Sequence, residues 1–194
     1  MGAVLTPSRE AEAQAPKAQA FRNSLRRVFK PRRLLEAGLI IAVILGAQYW
    51  QTRGLPEGAA PPLAGILTDG SSARVGADGT ANDKPTLVAF WSTWCPVCSA
   101  EEDNIVSVAK DHRVISVAMQ SGDAATVMKH LKERGIALPV LVDADGRHAE
   151  NWGVRGVPTH FVVDAAGNIR FRVVGYATTW GLKTRLWWTE TFPA

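Results

Sequence analysis

The sequence predicts an α/β fold: a central mixed β-sheet flanked by helices on both faces, preceded by one N-terminal apolar helix. Three observations carry that reading. The apolar run Thr86–Trp91, rich in β-branched and aromatic residues, leads straight into a helix-like segment at Pro96–Lys110. The two cysteines of the chain, Cys95 and Cys98, sit at that strand-to-helix junction with two residues between them. About sixty positions on, Val154-Arg155-Gly156-Val157-Pro158-Thr159 forms a glycine–proline turn at the mouth of another apolar run, His160–Val163.

The chain opens with a polar, Ala-rich tail, residues 1–33, ending in the basic cluster Arg26, Arg27, Lys30, Arg32 and Arg33. Residues 1–53 carry a net +6 and residues 54–194 a net −2, which together make the formal +4. The basic balance thus belongs to the tail, and the body has no cationic face for nucleic acid. Residues 34–50 read as a transmembrane anchor: at about 1.5 Å each they reach roughly 25 Å, enough for a thin bilayer core. Glu36 lies near one end, and Tyr49 and Trp50 suit the opposite interface. The basic flank keeps the N-terminus in the cytoplasm and sends the body outside, most simply to a bacterial periplasm. A cleaved signal peptide is disfavoured by the long leader and the lack of an A-x-A site.

Residues 51–62 form a Pro/Gly linker, and 63–194 the folded domain, whose 46% apolar content over the whole chain is ample for a core. Leu63–Val75 reads as a hairpin around Asp69-Gly70, and Ala77–Pro85 as loop. The motif helix Pro96–Lys110 shows Ile105, Val106 and Ala109 on one face, with Glu101, Glu102 and Asp103 in its first turns as solvated acids apart from Glu101. Arg113–Met119 is a second buried strand. Asp123–Arg134 places Val127, Met128 and Leu131 at helical spacing and stops at Gly135. Pro139–Val142 is a short strand, Asp143–Gly146 a turn with too few ligands for calcium, and Arg147–Gly153 a short helix. Thr159–Asp164 and Ile169–Val174 pair through Ala165-Ala166-Gly167-Asn168. Thr178 or Thr179 caps a last helix bearing Leu182, Leu186 and Trp187, with one ring of Trp187-Trp188 covering the core.

The spacing of the thiols is chemically specific. Positions i and i+3 share a helix face, so Cys95 and Cys98 reach each other across one turn. Cys95 at the helix N-terminus meets orphan N–H groups and the positive dipole end, which lower a thiol toward the thiolate. Cys95 is then the nucleophile on a disulfide and Cys98 resolves the mixed disulfide. Pro96 fits the first turn because it has no N–H to leave unpaired. Zinc is the weaker reading: four ligands are usual, there is no second C-x-x-C, and His112, His130, His148 and His160 are scattered. A purely structural disulfide usually closes a longer loop.

The combination Trp94-Cys95-Pro96-Val97-Cys98 with Gly156-Val157-Pro158-Thr159 resembles the thioredoxin superfamily, over roughly residues 60–192. Within it the chain looks most like the membrane-anchored TlpA/DsbE-like branch, which includes the suppressor-of-copper-sensitivity protein D group. That resemblance implies a thioredoxin-like fold, with 123–143 as the insertion of that branch. It implies that Pro158 is cis and packs beside the dithiol, and that the Val157 backbone pairs with a bound client. Trp94, Pro96, Val97, Val157, Pro158 and Thr159 are then the substrate-binding residues. Many thioredoxins carry a buried acid where this chain has Ala89; the TlpA-like branch often has Glu three residues after the second cysteine, here Glu101. Glu101, one turn past Cys98, is a candidate general base for that thiol.

The resulting expectation is a periplasmic protein thiol–disulfide oxidoreductase, more a reductant than an oxidant, with cysteine-containing clients and a membrane electron-transfer partner of the DsbD kind. No organic cofactor or metal is implied, since the Cys95–Cys98 pair itself carries two electrons. The alternative from another class is a non-enzymatic copper(I) binder using the same soft thiolates. Met119 and Met128 read as packing residues instead of copper ligands, and His160 as an ordinary strand histidine.

Overall fold

A computed structural model describes residues 31–76 and 84–193; the basic tail before residue 31 and most of the loop 77–85 lie outside the described residues. The chain divides into two compact units, Met1–Trp50 and Gln51–Ala194. Helix α1, Pro31–Thr52, is longer at both ends than the segment expected at 34–50, and Leu39, Ile40, Ile41, Val43, Ile44 and Leu45 on it are exposed. Its unbroken apolar stretch, Ala37–Ala47, covers about 16 Å at about 1.5 Å per residue, against a hydrocarbon core of roughly 30 Å. Glu36 closes one end of that stretch and Gln48 the other. Among the described residues no helix is long and apolar enough to cross a membrane.

The second unit is built on a six-stranded mixed sheet. In chain order its elements are β1 (Gly58–Ala59), β2 (Leu63–Ile66), β3 (Ser72–Val75), β4 (Thr86–Trp91), α2 (Pro96–Ala109), β5 (Arg113–Met119), α3 (Ala124–Arg134), β6 (Val140–Asp143), α4 (Arg147–Asn151), β7 (Thr159–Val163), β8 (Asn168–Val174) and α5 (Thr179–Thr191). The strand order is β1-β8-β7-β4-β5-β6, with β2 and β3 forming a separate hairpin. β4 runs parallel to β5 and antiparallel to β7, so the mixed sheet has its change of direction at the centre.

β4 is buried along its whole length because both faces of the sheet are covered. Side chains alternate across the strand. Val88 and Phe90 join a cluster with Leu63, Val75, Ala149, Trp152 and Phe161 on the side of the hairpin and α4. Leu87 and Ala89 face Ile105, Val108, Leu182 and Leu186 from α2 and α5. Trp91 packs with Val127 and Leu131 of α3. The aromatic centre of the first cluster is tight, with Trp152 and Phe161 edge to face at 4.9 Å and Phe90 5.7 Å from Trp152.

Each edge of the sheet is partly covered, which shortens the open strand that would otherwise recruit another chain. The β2–β3 hairpin reaches the β6 edge through a Leu67–Leu141 bridge, Thr68 donating its N–H to Val140 O at 2.9 Å. At the other edge the two residues of β1 pair with β8. The expected linker is therefore part of the fold: Leu55 and Ala60 are core residues. Gly153, at φ +64, lets this segment close in, since a methyl group there would stand 2.9 Å from Gly54 O.

Helix ends follow local chemistry. The Asp123 side chain accepts from Thr126 N–H at the start of α3, and Gly135 closes it in the left-handed region. Thr178 caps α5, whose buried residues are Leu182, Leu186 and Thr189. Both Trp187 and Trp188 are exposed, contrary to the expectation that one ring covers the core; they pack on Phe192 instead. The helical drift of about 100° per residue gives the inward place to Thr189.

The Phe90–Trp152–Phe161 cluster is fully buried, and the indole N–H of Trp152 has no partner. Trp152→Ala should lower the unfolding free energy by about 3–5 kcal/mol. Trp152→Phe should cost less than about half of that, because it removes an unpaired buried donor. Urea midpoints of the two variants check the contrast; equal losses would count against it.

Candidate active site

The C-terminal ends of the parallel strands β4 and β5 carry the site, as the geometry of open α/β sheets favours. Cys95 is the N-cap of α2, in extended conformation, and its sulfur accepts the Cys98 backbone N–H at 3.2 Å. Pro96 occupies the first turn, which contains no acid; Glu101, Glu102 and Asp103 all lie beyond it. Nothing negative on α2 therefore competes with a thiolate for the positive helix end. Both cysteines are free thiols. Cys95 keeps 5% exposure against 2% for Cys98, so Cys95 is the sulfur nearer the surface.

Three bonds to the end of β5 and the segment after it hold the loop in front of the thiols. Ser92 Oγ donates to Met119 O at 2.7 Å, Thr93 N to Ser121 Oγ at 3.1 Å, and Trp94 Nε1 to Gln120 O at 3.0 Å. Gln120 sits at φ +46, a costly conformation for a residue with a side chain, at the edge of the site. Ser92, Gln120 and Ser121 escaped the sequence reading, because these bonds join segments that no periodicity connects.

The proline turn arrives where the resemblance places it. The Val157–Pro158 peptide is cis, and Cys95 Sγ donates to Val157 O at 3.6 Å. Pro158 is buried beside the pair, while Trp94, at 60% exposure, Pro96 and Val97 form an exposed rim around Cys95. Thr159 is turned inward and donates its hydroxyl to Gly156 O at 2.8 Å, so its side chain holds the turn and offers no surface.

Behind the dithiol lies a polar chamber. Glu101 is 2% exposed and on the same face of α2 as Cys98, Ile105 and Val108, a face one step round from the Ile105–Val106–Ala109 stripe expected. Its Oε2 accepts the Ala177 N–H at 2.9 Å, and its Oε1 lies 3.0 Å from Nε2 of His160, itself 1% exposed. The approach to the imidazole is outside hydrogen-bonding angles, leaving both ring nitrogens of His160 without a hydrogen-bond partner. Glu101, His160, Cys98, Ala89, Trp91 and Ser116 line one small cavity of about 30 Å³.

Glu102, expected as a solvated acid, is mostly buried: its carboxylate lies 2.9 Å from His130 Nε2 and accepts from Arg134 Nε at 2.7 Å. The His130 ring also packs, tilted, on Trp91 at 5.5 Å, which ties α3 to the end of β4. Met119 is buried in the core and Met128 is exposed. Among the described residues no group of three or more His, Cys, Asp or Glu side chains is placed to hold a metal ion.

Burial pushes the Cys98 thiol well above its ordinary range, and the contact with the Cys95 sulfur and the nearby Glu101 charge add to it, while the Ser92 backbone opposes. The folded chain thus holds this proton more tightly than the unfolded chain. The stabilisation is complete below the unfolded thiol value of about 8.5 and is lost as pH rises above it, by up to about 1.4 kcal/mol per pH unit. Urea unfolding of the reduced protein should show that decline between pH 8 and 10, and Cys98→Ala should lack this component. Equal slopes in the two proteins would refute the assignment.

The Redoxin family model matches residues 55–184. A thioredoxin-like protein of Haemophilus influenzae is 37% identical over 57% of this chain and 66% of its own length. A thiol:disulfide interchange protein DsbE of Pseudomonas aeruginosa is 32% identical, over 71% of this chain and 79% of its own. Among solved structures, a thiol:disulfide interchange protein of the thioredoxin family from Chlorobium tepidum superposes with a TM-score of 0.56 at 26% identity, covering 68% of this chain and 94% of that one.

Proposed function

The chain belongs to the Redoxin family, and from that premise we propose that it is a thiol–disulfide oxidoreductase acting on cysteine-containing client proteins. The observation that carries this reading is the Cys95 sulfur at the N-cap of α2, accepting the Cys98 N–H at 3.2 Å and standing 3.6 Å from Val157 O. The curated DsbE relative, a thiol:disulfide interchange protein by name, supports it.

In the reducing direction the Cys95 thiolate attacks a client disulfide, forming a Cys95–client bond and releasing the other client sulfur as a thiolate. Cys98 then loses its proton and attacks Cys95. The Cys95–Cys98 bond forms, the Cys95–client bond breaks, and two electrons have passed to the client. Client binding uses the exposed rim of Trp94, Pro96 and Val97 together with the Val157–Pro158 turn, along which an extended peptide can lie.

The reducing direction has a physical argument. The Cys95 sulfur faces one donor, the Cys98 N–H, and one acceptor, the Val157 carbonyl. A dithiol whose attacking sulfur meets a single donor gives up its electrons more readily than one surrounded by donors. A thiol-exchanging membrane protein of the DsbD kind would return the electrons. The exposed apolar side chains of α1 and the basic residues before it support a membrane tether, with the redox unit working in the periplasm.

The Cys98→Ser variant should accumulate mixed disulfides with client proteins through Cys95, and wild type should speed insulin reduction by dithiothreitol; loss of neither property in Cys95→Ser would sink the proposal. Equilibration with glutathione should give a potential near about −270 mV, whereas a value near about −120 mV assigns an oxidant. In fractionated cells the full chain should sediment with membranes and be reached by an external thiol reagent once the outer membrane is opened; a wholly cytosolic protein would overturn the location.

A further inference from the structure

We propose that Glu101 and His160 act as one buried proton acceptor for the Cys98 thiol, with His160 as the positioning residue that lets Glu101 take the proton. The inference rests on the thiol–disulfide exchange reading and deepens its second step.

Three observations converge. First, His160 on β7 stands directly across from Ala89 on β4 in the sheet register. The small side chain of Ala89 leaves room on that face, and Glu101 reaches into it from α2 while His160 reaches into it from the neighbouring strand. Second, the carboxylate and imidazole approach to 3.0 Å with neither residue more than 2% exposed. A buried carboxylate and a buried imidazole without charge partners would each be costly, and side by side they can hold a proton as a neutral pair. Third, the cavity they line is shared with Cys98 and has room for a water molecule, so a proton can pass between sulfur and pair directly or through one water.

The surroundings leave this pair as the acceptor. The other titratable groups around the cavity are Cys98 itself and Glu102. Glu102 is engaged by His130 and Arg134 on the side of α3. β4 contributes only Ala89 and Trp91, and β5 only Ser116, whose hydroxyl accepts the Trp91 indole N–H at 2.7 Å. From the segment before α5, the backbone N–H of Ala177 fixes Glu101 Oε2 and leaves Oε1 toward His160.

In the step itself, the S–H bond of Cys98 breaks and its proton goes to the Glu101–His160 pair. The Cys98 sulfur then displaces the client sulfur from Cys95, and the client leaves as a thiolate. Without His160 the carboxylate keeps its full negative charge beside the sulfur that must ionise. In the reverse direction the pair returns the proton to Cys98 as the internal disulfide opens.

The two steps separate in the reaction of the reduced full chain with a limiting amount of dithiobis(nitrobenzoate). Release of the first thionitrobenzoate reports attack by Cys95, and release of the second reports resolution by Cys98. His160→Gln should slow the second phase about tenfold at pH 7, leave the first unchanged, and recover toward wild type as alkaline solvent takes over proton removal. In a Glu101→Gln background the His160 substitution should add nothing. Second-phase rates equal to wild type, or lowered by one factor at every pH, would overturn the proposal. Should His160→Gln fail to fold by circular dichroism, Glu101→Gln alone carries the test, and an unaltered second phase in it is equally fatal. A wild type that releases no second thionitrobenzoate would instead remove the dithiol reading on which the inference rests.

Discussion

The 3.2 Å hydrogen bond from the Cys98 amide to the Cys95 sulfur is where strand, helix and chemistry meet. It exists because β4 ends, buried on every side, just where α2 must begin, and because a helix start has amides with nothing of their own to bond. A sulfur in the N-cap place satisfies one of them. The rest of the unit serves that junction: the end of β5 and the residues after it clamp Ser92, Thr93 and Trp94, and the turn before β7 brings a carbonyl to the same sulfur. The two cysteines consequently differ. One is nearer the surface and held by a donor, the other is sealed below it and keeps its proton.

That asymmetry creates the need for a proton acceptor inside the fold, and the sheet register sets the proposed Glu101–His160 pair on the Ala89 side of β4. An acid on β4 would have stood at Ala89; in its place Glu101 descends from the helix and His160 faces across from β7. The inward face of α2 accordingly runs Cys98, Glu101, Ile105, Val108. It carries a thiol and a carboxyl group on one turn and is apolar thereafter. Reading only apolar residues rotates the face by one position, which is why Val106 and Ala109 looked like core positions.

The edges of the sheet explain a second departure. A Pro/Gly-rich stretch between an apolar helix and a domain looks like a free spacer, yet Leu55 and Ala60 enter the core and Gly58–Ala59 pair with β8. Two strand residues are too few to leave an alternating pattern. The pairing matters nonetheless, because with the hairpin on β6 it shortens the open length of both edges.

Local chemistry made most of this architecture legible in the chain itself. Apolar runs set β4, β5 and β7, Asp123 with Gly135 and Thr178 marked helix ends, and the Cys-Pro-Val-Cys spacing placed both thiols on one helical turn. These are short-range effects, so the residues that cause them are neighbours in sequence. Only the tertiary structure decided that His160 meets Glu101, that Glu102 is spent on His130 and Arg134, that both Trp187 and Trp188 stay outside, and that 119–121 brace the dithiol. Each of those depends on partners brought together by strand register and helix packing across dozens of residues, and pairings of that kind leave no mark on the pattern of either segment alone.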